Sequence, residues 1–223
     1  MARKAKTTQP QQAASRSAQS PRSLRSLERP LAWILIVSGI IGIICAFIIS
    51  YDKLQLLQNA SFQPNCNLNP IISCGNVMKS AQGSVFGFPN PWIGLVAFPV
   101  LLTIGMGIMA GARFKRWFWI GLQLGTVFGI AFVHWLFFQS VYRIQALCPY
   151  CMAVWIVTIT TFWYTLLYNL EQRHIRLPAG ARWQQAAAFV RKHHLDILLV
   201  WFLIIAFFIL KHFWYFFGKP FGA

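Results

Sequence analysis

Five stretches of about 20 apolar residues run through this chain, and that is the length an α-helix needs to cross the roughly 30 Å hydrocarbon layer of a bilayer. They cover 31–50, 92–112, 117–138, 151–168 and 197–217. The first two carry no charge, and Gln123 and His134 are the only strongly polar residues of the third. The last has 14 uncharged residues before Lys211 and His212, so an interfacial or re-entrant segment is its alternative. Lys211 can lay its stem along lipid while its ammonium reaches the headgroups, and Trp214, Tyr215 and Phe216 read as an interfacial belt, which favours a fifth span. With 57% apolar residues and four acidic side chains in 223, one soluble domain could not cover this surface. The expected fold is an all-α integral membrane protein.

Charge orients it. Of the 20 Lys and Arg residues, 15 fall on alternate segments: seven in the N-terminal tail, three between the second and third spans, and five between the fourth and fifth. The positive-inside rule then predicts a cytoplasmic N-terminus, with the first and third loops and the C-terminus on the other face. The net charge of +16 follows from this topology and from attraction to anionic lipid, so nucleic acid is not called for. Residues 1–30 are rich in Ala, Gln, Ser, Pro and basic residues without hydrophobic period and read as a disordered tail. The first apolar run is too long for a signal h-region and lacks a small-residue cleavage site, so it reads as a retained anchor. The expected organisation is a bundle over 31–170 with an outward loop at 52–90, a basic cytoplasmic loop at 171–196, and a fifth helix with a short tail at 197–223.

The chemistry is carried by cysteines. Cys148-Pro149-Tyr150-Cys151 opens the fourth apolar run. Proline suits the first position of a helix and not its interior, which predicts Cys148 at the N-cap and Cys151 one turn inward. The positive helix end favours a Cys148 thiolate open to attack, with Cys151 deeper and facing a membrane-dissolved acceptor. Cys66 and Cys74 lie in the 52–90 loop, long for a connection without a task, and the charge pattern puts it on the same face as the CxxC. An oxidising compartment there permits disulfides, and a mobile loop disulfide could exchange with the pair below. The alternatives are inert disulfides or a four-cysteine zinc site, although the Cys66–Cys74 spacing is wider than zinc ligands usually show. Cys45, deep in the first run, reads as packing.

The Cys66/Cys74 loop, Ser80, the Asn90-Pro91-Trp92-Ile93-Gly94 start of the second span and Cys148-Pro149-Tyr150-Cys151 together resemble the vitamin K epoxide reductase family, in its bacterial branch. The resemblance covers roughly 31–170. It implies an up-and-down four-helix bundle holding a quinone (menaquinone, ubiquinone or phylloquinone-like) near the CxxC, in a bacterial cell membrane. It also implies an electron route: a reduced thioredoxin-like protein outside the membrane attacks Cys74, Cys66 then attacks Cys148, and Cys151 passes the electrons to quinone. Some family members carry a fused thioredoxin-like domain after the bundle, and none follows the fifth span here, so the expected donor is a separate protein.

Asn90 and Ser80 match family positions. The Asn90 amide could hydrogen-bond a quinone carbonyl or serve as a cap, and Ser80 could do either. Animal members have tyrosine four residues after the second CxxC cysteine; here Trp155 stands there, and an indole donates but cannot accept, which disfavours epoxide reduction and suits a plain quinone. His134, an ionisable group inside the third span, could relay a proton to quinone or simply bond a neighbouring helix. The expected function is a membrane thiol oxidase that regenerates a disulfide donor for exported proteins, with no metal. The alternatives are quinone or epoxide reduction as the purpose, or a non-catalytic scaffold.

Overall fold

A computed structural model describes residues 27–59, 61–175 and 180–214. The basic tail before Leu27, the end of the fifth span at Tyr215 and Phe216 and the residues after them lie outside the described residues. Among the described residues five helices are long and apolar enough to cross a membrane. They are α1 (Glu28–Gln58), α3 (Pro91–Met109), α4 (Arg116–Phe138, prolonged by a π-turn to Ile144), α5 (Pro149–Glu171) and α7 (His194–His212). Two short helices complete the path: α2 (Cys74–Lys79) in the cysteine loop and α6 (Ala181–Lys192) before α7. The chain is a multi-pass, all-α membrane protein.

The first helix outruns its apolar window by eight residues. Tyr51–Gln58 holds Leu, Gln and Lys, all good helix formers, and the helix ends only at Asn59. At about 1.5 Å per residue the 31 residues reach about 46 Å, so the final turns project beyond a 30 Å layer. The loop expected from residue 52 therefore begins as helix.

Helices α1, α3, α4 and α5 run up and down as a bundle in which α1 packs on α3 and α5, and α4 on α5. The α1–α3 contact is backbone-close: a Cβ at Gly39 would stand 2.8 Å from Leu102 Cβ, and one at Gly105 2.8 Å from Ala32 O. Only glycine allows that approach, the usual way apolar helices pack in lipid. Among the described residues α3 and α4 do not form such a pair, and the bundle is hollow between them.

Helix α7 lies against the outside of this bundle with no buried residue of its own. Two indoles fasten it: Trp201 Nε1 donates to His134 Nε2 at 3.0 Å, and Trp163 Nε1 donates to His194 O at 3.0 Å. Just past its end, Phe213 is fully buried among Ile71, Val141, Leu147 and Trp155.

Candidate functional site

Helix α5 begins as its sequence dictates. Cys148 is the N-cap with extended backbone, Pro149 is the first helical residue, and Cys148 Sγ accepts the Cys151 N–H at 3.5 Å. The Cys151 thiol, first, and the N–H groups of Cys151 and Tyr150 stabilise a Cys148 thiolate. They outweigh burial and hold its pKa below the ordinary 9.0.

The loop above is knitted by asparagines. Asn67 Oδ1 accepts from Gly75 N at 2.9 Å and Ser73 Oγ at 3.1 Å, and Asn69 Oδ1 accepts from Ile72 N at 2.7 Å. Ser73 caps α2 by accepting the Asn76 N–H. Cys66 and Cys74 form a disulfide, whereas Cys148 and Cys151 are free thiols.

What brings the pairs together is a short parallel ladder. Leu147 N donates to Ile71 O at 2.7 Å and Ser73 N donates to Leu147 O at 2.9 Å, around the Ile72–Leu147 bridge. The next residues along the two strands are Ser73, Cys74 and Cys148, Pro149, so Cys74 is carried to the side of Cys148. Cys66, Cys74 and Cys148 share one buried cluster with Ile49, Leu56 and Met78, and Cys151 packs on it. Cys74 is 0% exposed within the buried run Ser73–Gly75; Cys66 is 6% exposed and follows the exposed Asn65. The ladder ties the segment leading into Cys74 to the segment leading into Cys148, and Cys66 and Cys74 both share the buried cluster of Cys148.

Below the cysteines lies a cavity of about 550 Å³. It extends from Cys151, Asn90 and Lys53 at the cysteine end, along α3 to Ile104 and along α4 to Trp117. The span from Pro91 to Ile104 is about 20 Å at helical rise. Its walls are almost wholly apolar, as a lipid-soluble ring with a long hydrocarbon tail requires. The hollow comes from a feature that reading for chemistry missed: Gly121, Gly125 and Gly129 recur every fourth residue on α4 and all line it. A Cβ at Gly121 or Gly125 would meet nothing within 4 Å. The spacing was visible in the sequence, but not that the stripe faced a void.

The other expected residues divide. Asn90 lines the cavity; its Oδ1 accepts from Val85 N at 3.1 Å and its Nδ2 donates to Gln82 O at 2.7 Å, which leaves the second amide hydrogen for the cavity. Trp155 is buried and lines it one turn below Cys151, with Phe137 edge-on at 5.5 Å. Ser80 is not on the lining: its Oγ donates to Val77 O at 2.7 Å, closing α2. His134 is not on it either. Its Nδ1 pairs with Ile130 O at 2.8 Å and its Nε2 takes the Trp201 N–H, so it holds α7. Cys45 is buried and free. Lys53 was not singled out from the sequence, yet it lines the cavity at the cysteine end and donates to Met78 O.

A disulfide stacked on a dithiol, itself at the mouth of an apolar cavity within a helical bundle, defines a membrane thiol–disulfide oxidoreductase. The chain belongs to the vitamin K epoxide reductase family, which matches it over residues 33–166. Members of that family are quinone-dependent oxidoreductases. No curated protein matches the chain.

Proposed function

We propose that this protein re-oxidises a separate thioredoxin-like disulfide donor outside a bacterial membrane and passes the electrons to quinone. One observation carries the reading: the loop disulfide, the CxxC dithiol and the cavity lie in sequence, each against the next. The excess of basic residues on alternate segments supports the cysteine end as the outer one.

A donor thiolate attacks Cys66, which follows the exposed Asn65, and Cys74 leaves as thiolate; the donor's second thiol then releases the donor as a disulfide. Cys74 attacks Cys148 of a Cys148–Cys151 disulfide, and Cys151 leaves as thiolate. Cys66 attacks Cys74 in turn, restoring the loop disulfide and freeing Cys148. The arrangement with the loop bond closed and both CxxC sulfurs free is the one from which electrons next leave. Quinone accepts the electron pair and two protons as the Cys148–Cys151 bond re-forms. Cys151 meets the acceptor from the cavity wall, and the Asn90 amide hydrogen orients a carbonyl beside it. A four-cysteine zinc site needs four thiolates, and the loop disulfide takes two away.

The test is quinone reduction followed optically in proteoliposomes, driven by a reduced thioredoxin-like protein, for the native chain and each of the four Cys→Ala variants. All four variants should lose it. In non-reducing peptide maps Cys66→Ala should accumulate a Cys74–Cys148 bond, and Cys74→Ala should give no Cys66–Cys148 bond. Native protein that reduces no quinone from that donor refutes the function; the reverse pattern of crosslinks refutes the order.

A further inference from the structure

Polar residues recur along one side of α5, with Val154, Trp155 and Phe162 interspersed. At 100° per residue, Cys151, Thr158, Thr165 and Asn169 fall within about 40° of one another, with Thr161 beside them, over a rise of about 27 Å. Thr161 is 1% exposed, and Thr165 and Asn169 are 0%. Polar groups are costly inside a bilayer and are kept bonded or put to use.

The lower end of the stripe is bonded. Asn169 Nδ2 donates to Gln123 Oε1 at 3.0 Å and Gln123 Nε2 donates to Thr126 Oγ1 at 3.3 Å. Asn169 Oδ1 pairs with His174 Nδ1 at 3.1 Å. His174 is half-buried at the bundle end opposite the cysteines, where its carbonyl accepts from Arg116 Nε and the other charged groups are Glu28, Arg29, Arg113, Lys115, Glu171 and Arg173. The middle is different. Thr103 and Thr160 return their hydroxyls to the carbonyl four residues back at 2.8 Å, the ordinary solution in an apolar helix. Thr161 Oγ1 and Thr165 Oγ1 are buried with no partner among the described residues. Thr126, Thr158 and Thr161 all open on the cavity.

Two buried hydroxyls without partners, between a bonded polar cluster and a cavity where a reduction consumes protons, need water to complete them. We propose that this stripe is a hydrated proton route from His174, past Asn169, Gln123, Thr165 and Thr161, into the cavity. This inference rests on the quinone reading above. Hydroxyls and imidazole can accept a proton on one side and release one on the other; the two amides, bonded to each other, flank the water that joins the imidazole to the hydroxyls. In each turnover the donor dithiol gives up two electrons and two protons. The electrons cross to quinone through the cysteines, the donor's protons stay at the cysteine end, and the two protons taken up with the electrons come from the opposite end.

The test uses proteoliposomes with the cysteine end outward, oriented by an impermeant thiol reagent, and a pH dye inside. Reduced donor added outside should make the lumen alkaline by about two protons per quinone reduced, by the stoichiometry above. The double variant Thr161→Val, Thr165→Val should reduce quinone at least tenfold more slowly, with a larger solvent deuterium isotope effect. Its thermal stability should be unchanged or higher, since it loses hydroxyls that bond to no protein group. A Thr165→Cys thiol, in a quinone-free chain whose native cysteines are Ala, should react with a small water-soluble thiosulfonate. Quinone reduction at the native rate by the Val variant, reduction without lumenal alkalinisation, or an inert Thr165→Cys thiol overturns the route and leaves the oxidase reading standing. A native chain that reduces no quinone overturns both.

Discussion

Replacing Gly125 by Leu should make the protein more stable and nearly abolish its grip on a long-tailed quinone. A side chain at this position meets nothing within 4 Å, so no clash opposes it. Exchanging a mid-helix glycine for leucine contributes about 0.8 kcal/mol of helix propensity. The same four carbons project into the cavity roughly halfway along α4, about 20 Å from the cysteine end by helical rise. They exclude about four carbons of a bound tail. At about 0.8 kcal/mol per buried methylene the loss is about 3 kcal/mol, or about 200-fold in Kd. Quenching of the cavity-lining Trp117 and Trp155 gives the affinity, and thermal unfolding gives the stability. A tail-less quinone, engaged only at Cys151 and Asn90, should bind as before. Native affinity for the long-tailed quinone in a folded Gly125→Leu protein would refute the assignment of this cavity to quinone.

Three other outcomes follow from the site. In the reduced protein Cys148 should be alkylated with a midpoint pH below 9.0, and Cys151→Ala should raise that midpoint, since the Cys151 thiol is the largest stabiliser of the thiolate. Because the folded pKa is depressed, the stability this thiolate contributes is complete above the ordinary thiol pKa and is lost as pH falls through the folded value; chemical unfolding of the reduced protein at several pH values would show it. Asn90→Ala removes two bonds from the 82–85 turn and should cost about 2 kcal/mol in chemical unfolding while raising the KM for quinone. Phe213→Ala empties a fully buried site against Ile71 and Leu147, costing about 3–5 kcal/mol in unfolding. With the ladder loosened, the yield of Cys74–Cys148 crosslink in a Cys66→Ala background should fall in peptide maps.

The parts of this molecule that were legible in the sequence are those set by local rules. Span length reads from apolar windows, and the N-cap position of Cys148 reads from Pro149, because both depend on residues adjacent in the chain. The end of α1 lies past the apolar window because polarity marks where the membrane stops and backbone hydrogen bonding marks where the helix stops; Tyr51–Gln58 satisfies the second without the first. The placement of the cysteine loop beside the CxxC depends on a bridge between residues 72 and 147, a pairing that no local pattern announces. His134 illustrates the same division. An imidazole within an apolar helix was recognisable as a group that needs a partner, but the partner is Trp201, 67 residues on and beyond the family match. That indole, together with Phe213 seated on the cysteine ladder, means that the fifth helix is fastened to the redox bundle at mid-height and at its active end. The fifth span is therefore joined to the bundle by specific contacts and not only by apolar surface shared with lipid.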